Sequence, residues 1–155
     1  MGKFNGKSGK VEWKTGAETD DIVDHCQNWN CSISCDTAET TSMTNGTSAN
    51  NYRARVAGLF DWAGSFEVIN DMAGEIDLTH FGAEEISAGV AHEVGLYLNG
   101  TAGDTLHVIY GSIILTGISP SSPVDDVTKT TYTFQGTGAA PTLAVGSTVD
   151  PEWHD

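Results

Sequence analysis

The sequence predicts a mainly β protein: an antiparallel β-sandwich or barrel with one short flanking α-helix, a long inter-strand loop and extended N- and C-terminal arms. Three observations point there. Apolar and polar residues alternate at period two in six or more stretches, the mark of strands with one packed and one wet face. Eighteen glycines, few charges and abundant Thr and Ser favour strands and turns over helices. At 155 residues the chain has one-domain length. It can bury roughly 68–70% of its unfolded surface, so neither disulfide nor metal is needed as a staple.

In chain order, residues 1–9 are Gly- and Lys-rich and read as a basic arm. Val11 and Trp13 share a face of a short strand over Lys10–Lys14, and Thr15 to Asp24 is an acidic connection. Trp29–Asp36 alternates Trp29, Cys31, Ile33 and Cys35 against small polar residues. Phe60–Asn70 alternates Phe60, Trp62, Gly64, Phe66 and Val68 against polar ones. Between them, residues 37–59 are rich in Thr, Ser, Asn and Ala and carry Arg53 and Arg55. That is far more chain than a hairpin turn requires, so it is expected to serve as an assembly loop.

Residues 71–87 are read as a short helix capped by Asp71, with Met72, Ile76 and Phe81 along one side, although Gly74 and Gly82 weaken it. Val90, His92, Val94, Leu96 and Leu98 alternate up to the turn signal Asn99-Gly100. Leu106, Val108 and Tyr110 alternate and Ser112–Ile118 continues apolar, with a bulge or bend at Gly111 between them, and Pro120 and Pro123 mark a turn. Val127–Gln135 is a Thr-rich strand with Tyr132 and Phe134 inward. Residues 137–155 read as a C-terminal arm ending in the acidic Asp150-Pro-Glu-Trp153-His-Asp, and no internal repeat is present.

Charge limits the function. Twenty-one acids against seven bases give a formal −14. Residues 1–14 hold four of the bases, Lys3, Lys7, Lys10 and Lys14, against Glu12 alone. The remainder has three bases and twenty acids, a formal −17. Such a surface does not hold nucleic acid, whose non-specific binding needs Lys and Arg at the phosphates. It fits plain solubility, halophilic adaptation, or a wall that faces DNA without gripping it. No apolar run approaches the roughly 20 residues that span a bilayer. No apolar segment follows the first lysines, so a secretory signal is not expected and a cytoplasmic site of folding is.

Motifs for chemistry fail one by one. His25-Cys26, Cys31 and Cys35 crowd together, but not at Cys-x2-Cys spacing. Cys31 and Cys35 fall on the strand face of Trp29 and Ile33, where free thiols behave as small hydrophobes. His92-Glu93-x-x-Leu96 lacks the second histidine of a zinc-protease helix and alternates like a strand. Asp125-Asp126 and Glu84-Glu85 are adjacent carboxylates of the kind that mark solvated turns. Gly136-Thr-Gly138 lacks the lysine of a phosphate loop. No enzyme, cofactor or metal site is expected. The basic arm, the long loop and the C-terminal arm are three segments that an isolated domain does not need. Handed to neighbours, they make heterologous contacts that close rings or build filaments.

Several stretches carry a resemblance: Gly9-Lys-Val11-Glu-Trp13, the Trp29–Asp36 strand with its continuation to Met43, and Val56-Ala-Gly58-Leu-Phe60-Asp-Trp62-Ala-Gly64-Ser-Phe66-Glu67. Val94-Gly-Leu-Tyr97 and Tyr132-Thr-Phe134-Gln-Gly136-Thr-Gly138 complete it. In this order, from about Gly9 to Ala139, the chain resembles the major tail protein, or tail tube protein, of long-tailed bacteriophages. The resemblance implies homo-hexameric rings stacked into a virion tail tube that is assembled in the host bacterial cytoplasm. It implies DNA passing through, tape measure, terminator and distal tail proteins as partners, and no membrane.

With that resemblance, the wet-face residues Ser32, Ser34, Asp36, Asp61, Ser65 and Glu67 become candidate lumen-facing residues. Lys3, Lys7, Lys10, Met43, Tyr52, Arg53, Arg55 and Trp153 become candidate inter-subunit contacts. A phage capsid decoration protein or a baseplate-associated β-domain is the alternative, followed by a non-viral cytoplasmic binding module.

Overall fold

The computed structural model describes residues 9–14, 21–22, 26–40, 54–70, 89, 91–99 and 105–146. They form eight strands: β1 (Lys10–Lys14), β2 (Asp21–Ile22), β3 (Cys26–Glu39), β4 (Arg55–Ile69), β5 (Ala91–Asn99), β6 (Leu106–Ser121), β7 (Lys129–Gly136) and β8 (Thr142–Gly146). All pairings are antiparallel, in the order β2-β1-β5-β6-β7-β4-β3, with β8 also on β6. The protein is therefore mainly β, as its alternation predicts. The expected helix at 71–87 lies outside the described residues.

β6 is the spine. Its first half, to Ile114, pairs with β5 on one side and, over Leu106–Tyr110, with β8 on the other. From Ile113 to Ser121 it pairs with β7. The sheet folds over along this strand, laying β1 and β5 against β4 and β7. Trp13 of β1 thus meets Phe66 of β4 with ring centroids 5.9 Å apart, and Phe66 stacks on Tyr132 at 5.1 Å. Val11, Trp13, Val94, Leu96, Ile113, Leu115, Trp62, Phe66, Val68, Tyr132 and Phe134 fill the space between. Each such side chain stabilises by about 1.5–3 kcal/mol through its burial.

The inward residues of β4, β5 and β7 meet this core in the alternation the sequence predicts, with two exceptions. Phe60, expected inside, is 66% exposed, because β4 runs past the cover that β1 and β5 provide. Leu98 is turned out by a register shift between Tyr97 and Asn99, which brings Asn99 in to donate from Nδ2 to the Thr105 carbonyl at 3.1 Å.

Other boundaries move as well. Leu106–Ser121 is one continuous strand, and it carries Pro120, expected in a turn, within its pairing. Its irregularity lies between Leu115 and Gly117, not at Gly111. Gly111 has a different task, shared with Gly136. A Cβ on Gly136 would lie 1.8 Å from Trp62 Nε1, and one on Gly111 3.0 Å from Trp62 Cζ2. Trp62 is thus wedged between two glycines where the pairing of β4 with β7 ends.

The residues expected to form a loop at 37–59 are partly strand. Thr37 pairs with Ala57, Ala38 with Val56 and Glu39 with Arg55, and the Thr40 N–H donates to the Ala54 carbonyl at 2.9 Å. Residues 41–53 lie outside the described residues. Likewise Thr142–Gly146, inside the expected C-terminal arm, is strand β8.

Candidate functional site

Four strands, β3, β4, β7 and the second half of β6, present one broad surface away from the core. Cross-strand register places its residues side by side: Asn28 with Glu67, Asn30 with Ser65, Ser32 with Ala63 and Ser34 with Asp61. Continuing across the sheet, Glu67, Ser65 and Ala63 neighbour Thr131, Thr133 and Gln135. Thr131 and Thr133 in turn neighbour Ser119 and Gly117. None of these residues is buried. Backbone alternation thus fixes a polar face whose reverse side, Trp62, Phe66, Tyr132 and Phe134, is the core.

Hydrogen bonds hold this face in place. Asn30 Nδ2 donates to Ser65 Oγ at 2.8 Å, and Asn28 Nδ2 to Glu67 Oε1 at 3.3 Å. Ser34 Oγ donates to the Asp61 carbonyl at 3.4 Å, and Thr116 Oγ1 to the Thr133 carbonyl at 3.3 Å. The result is a carpet of amides and hydroxyls dotted with Asp36, Asp61 and Glu67. At its far end Lys129 Nζ sits 3.6 Å from Asp126 Oδ2. A surface of this kind can slide past a polyanion: it offers hydrogen-bonding groups and negative charge, and few cations to trap phosphates.

The six residues expected on the wet face, Ser32, Ser34, Asp36, Asp61, Ser65 and Glu67, therefore share one face of β3 and β4. Asn28, Asn30, Thr116, Ser119, Thr131, Thr133 and Gln135 were not among them. The parity of inward Tyr132 and Phe134 already implied Thr131, Thr133 and Gln135. The pairing of β7 with β4 is the long-range fact that alternation does not carry.

Two edges of this four-stranded surface lack a strand partner among the described residues. One is the outer side of β3, the terminal strand of the sheet. The other is β6 beyond Ile114, where pairing with β5 ends.

Of the expected contact residues, Arg55 stands at the outer end of β4, paired with Glu39. Lys10 is engaged within the chain. Its ammonium ion-pairs with Glu12 and lies 4.4 Å from the Tyr97 ring centroid, while the Tyr97 hydroxyl donates to Glu12 Oε2 at 2.8 Å. Glu12 is 3% exposed, so Lys10 compensates a buried carboxylate. Lys3, Lys7, Met43, Tyr52, Arg53 and Trp153 lie outside the described residues.

The thiols follow the core's limits. Cys26 and Cys31 pack against the core's margin, while Cys35 lies further out on the same strand. Burial pushes Cys26 up to about 11 and also raises Cys31. Such thiols are unreactive, in keeping with packing residues. Among the described residues no group of three or more His, Cys, Asp or Glu side chains is placed to hold a metal ion. Two clefts of about 210 and 350 Å³, beside Gly111 and beside Trp29, sit at or below the small end of ligand pockets, roughly 300–1,000 Å³.

No family model and no curated protein matches the sequence. Solved structures do match the fold. A chain from the tail of an empty gene transfer agent particle, refined with C6 symmetry, superposes with a TM-score of 0.68 at 15% identity, covering 90% of this chain and 98% of that one. The SPP1 tail tube matches with a TM-score of 0.65 at 11% identity, over 94% of this chain and 82% of that one. A chain from the six-fold anti-feeding prophage baseplate matches at 0.58 and 9% identity, over 91% and 94%. At these identities the likeness is one of fold.

Proposed function

We propose that this chain is the structural subunit of a virion tail tube: six copies close a ring, and rings stack into a conduit for DNA. The observation that carries the reading is the four-stranded surface, polar and open on one side, apolar on the other, with an edge at each end that no described strand covers. Edges of this kind pair across copies and so satisfy their backbone groups.

Joining β3 of one copy to the second half of β6 of the next, six times over, gives twenty-four strands. At about 4.8 Å per strand the perimeter is about 115 Å, hence about 37 Å across between backbones. A bore of that order passes a duplex. The C6 symmetry of the gene transfer agent tail supports the six-fold count.

In this reading the polar face is the lumen wall, and Ser32, Ser34, Asp36, Asp61, Ser65 and Glu67 look inward. A ring carries a formal −84, six times the −14 of one chain. Screening over about 8 Å keeps the repulsion between wall and duplex short-ranged, which centres DNA without holding it. Lys3, Lys7, Arg53, Arg55, Met43, Tyr52 and Trp153 belong to segments that reach neighbouring copies, where cations offset ring-to-ring repulsion. Tape measure, terminator and distal tail proteins are the expected partners at the tube's ends and in its lumen, and the chain does no catalysis.

The likeness to a baseplate chain favours one second reading, a tube-like ring confined to a baseplate. Negative-stain microscopy of the purified protein, with its mass in solution, tests the proposal. Six-fold rings or tubes of indefinite length support it. Single rings that never stack favour the baseplate reading, and trimers favour a decoration protein.

A further inference from the structure

Backbone direction in the four-stranded wall can be followed residue by residue. The Thr137 N–H donates to the Ser112 carbonyl at 2.9 Å, next to the Ile113–Gly136 pair, so odd residues of β7 bond to β6. The Asn70 N–H donates to the Thr128 carbonyl at 3.0 Å, so even residues of β7 bond to β4. In an antiparallel ladder, residues bonded to one neighbour alternate with residues that turn their N–H and C=O the other way. Gly117, Ser119 and Ser121 therefore bond to Thr133, Thr131 and Lys129, while Ile118 and Pro120 turn their backbone groups to the outer edge of β6. A proline, which has no N–H, is tolerated at such an edge position because it removes no bond within the sheet. On β3, the Thr40 N–H donates to the Ala54 carbonyl at 2.9 Å, so even residues bond to β4. Trp29, Cys31, Ile33, Cys35 and Thr37 face the outer edge.

Both edges thus present backbone from core-side residues. Residues directly opposite across a ladder share a face of the sheet; in an antiparallel joint both point at each other, and in a parallel joint one points away. Only an antiparallel joint between these two edges continues the polar face from one copy to the next. Four antiparallel strands make β3 and β6 run oppositely, and rotation about a tube axis preserves strand direction. The next copy's β3 therefore arrives antiparallel to β6, as the backbone directions require. The partner this selects is a second copy of this chain.

The two edges are unequal. Beyond Ile114 the outer edge of β6 extends only to Ser121, whereas β3 runs from Cys26 to Glu39. The upper part of β3 and β4 also outruns its own sheet: β4 pairs with β7 only as far as Ala63, but with β3 as far as Arg55. Strands of a closed barrel tilt by about 35–45°, which displaces each four-stranded unit along its neighbour by about 13–19 Å, or about four to six residues. An odd displacement would turn polar residues to the core side, so four or six remain. Within one chain Trp29, Phe66, Tyr132 and Ile118 lie in one cross-strand row. Displacement one way brings Ile118 opposite Ile33 or Cys35. The other way runs off the start of β3 at Cys26 towards Asp21 and Ile22, which pair with β1. Ile33 is apolar and 41% exposed, suited to a neighbour's Ile118.

We infer that copies join with a stagger: late β6 of one copy pairs antiparallel with the upper half of the next copy's β3, placing Ile118 opposite Ile33 or Cys35 and not opposite Trp29. This rests on the tail-tube reading and gives its joint a direction and a register. The overhang of the β3–β4 hairpin is then the length of strand that a tilted barrel needs to close. Tilt of this size also widens the ring beyond that of upright strands.

The test uses the full chain with Cys26→Ala, Cys31→Ala and Cys35→Ala. Ser119 lies on the wall face, in the row where cross-copy pairs are not hydrogen-bonded and Cα atoms are about 4.5 Å apart, within disulfide reach. The stagger puts it opposite Ser32 or Ser34, and a level joint puts it opposite Asn28. Oxidised polymer of Ser119→Cys with Ser32→Cys, or with Ser34→Cys, is expected to give at least tenfold more covalent dimer than Ser119→Cys with Asn28→Cys. Where the alanine background does not polymerise, photo-crosslinking benzoylphenylalanine in place of Ser119 in the otherwise wild-type chain is expected to join residues 32–36 of a second copy and not residues 26–30, mapped by mass spectrometry. Dimer mainly through Asn28→Cys, or cross-links to residues 26–30, overturns the stagger while leaving the tube intact. Dimer from Ser32→Cys or Ser34→Cys alone, or polymer that cross-links through none of these pairs, overturns the joint of β6 to β3. Failure of the wild type to polymerise at any concentration overturns the tube reading itself.

Discussion

Trp62 shows how single residues set this fold. Its indole is buried between Gly111 and Gly136, and its Nε1 has no hydrogen-bond partner among the described residues. An unpaired buried donor costs about 1–3 kcal/mol, so packing and shape must outweigh it. Gly136→Ala would put a methyl into the indole. We expect it to lower unfolding free energy by about 3 kcal/mol, measured by urea titration, which is the upper end for overpacking. Gly64→Ala, whose Cβ would lie 2.2 Å from the Asn30 carbonyl oxygen, should lose a similar amount by pushing β3 off β4. Cys26 gives a pH signature. Its thiol ionises near 9.0 in the open chain and near 11 in the fold, so the folded state holds the proton more tightly. The stability this contributes is whole below pH 9 and is lost as pH rises through 9 to 11. Wild type should therefore lose more stability than Cys26→Ala between pH 8 and pH 11, and equal losses would show that burial does not perturb this thiol.

At the scale of elements, the hairpin and the polar face divide the labour. Replacing residues 40–54 by a four-residue turn removes the outer connection but keeps the Thr37–Ala57 to Glu39–Arg55 pairing. The product should be folded and monomeric by sedimentation, with polymer lost. On the wall, Asp61→Lys with Glu67→Lys replaces two acids by two bases in each of six copies. Tubes of that variant should retain duplex DNA in a salt-dependent way, whereas wild-type tubes should not, as a gel-retention assay reads directly. Period-two alternation made the inward Trp62, Phe66, Tyr132 and Phe134 legible in sequence, along with the outward Ser32, Ser34, Asp61, Ser65 and Glu67. It did not reveal β8, whose exposed Leu143 and Val145 sit in a short stretch between Pro141 and Gly146. Nor did it reveal that Phe60 lies beyond its cover, because alternation tells which face a residue takes and not whether anything lies opposite. The long loop was overdrawn for a related reason: Thr, Ala and Arg near its ends pair as strand only because the hairpin is already held in register by Trp62 to Val68.

For the whole molecule, one strand shared by both halves of a folded-over sheet produces two different surfaces. The apolar sides close on each other and make the subunit, and the polar side stays open with an edge at each end. In the tail-tube reading, a formal −14 on so small a chain keeps subunits apart and any polyanion off the wall, leaving assembly to the strand edges. Raised salt should favour ring stacking up to the point where the Arg53 and Arg55 contacts are themselves screened, giving a maximum in polymer yield against ionic strength. The central claim is that the face of β3, β4, β7 and late β6 is the wall of a channel. A cryo-electron microscopy reconstruction of the polymer tests it most directly. The account predicts six-fold rings with Ser32, Ser34, Asp61, Ser65, Glu67, Thr131 and Thr133 lining the bore and β3 paired to the next copy's β6. A reconstruction that places those residues on the outer surface, with the bore lined by β1, β2 or β5, would contradict it.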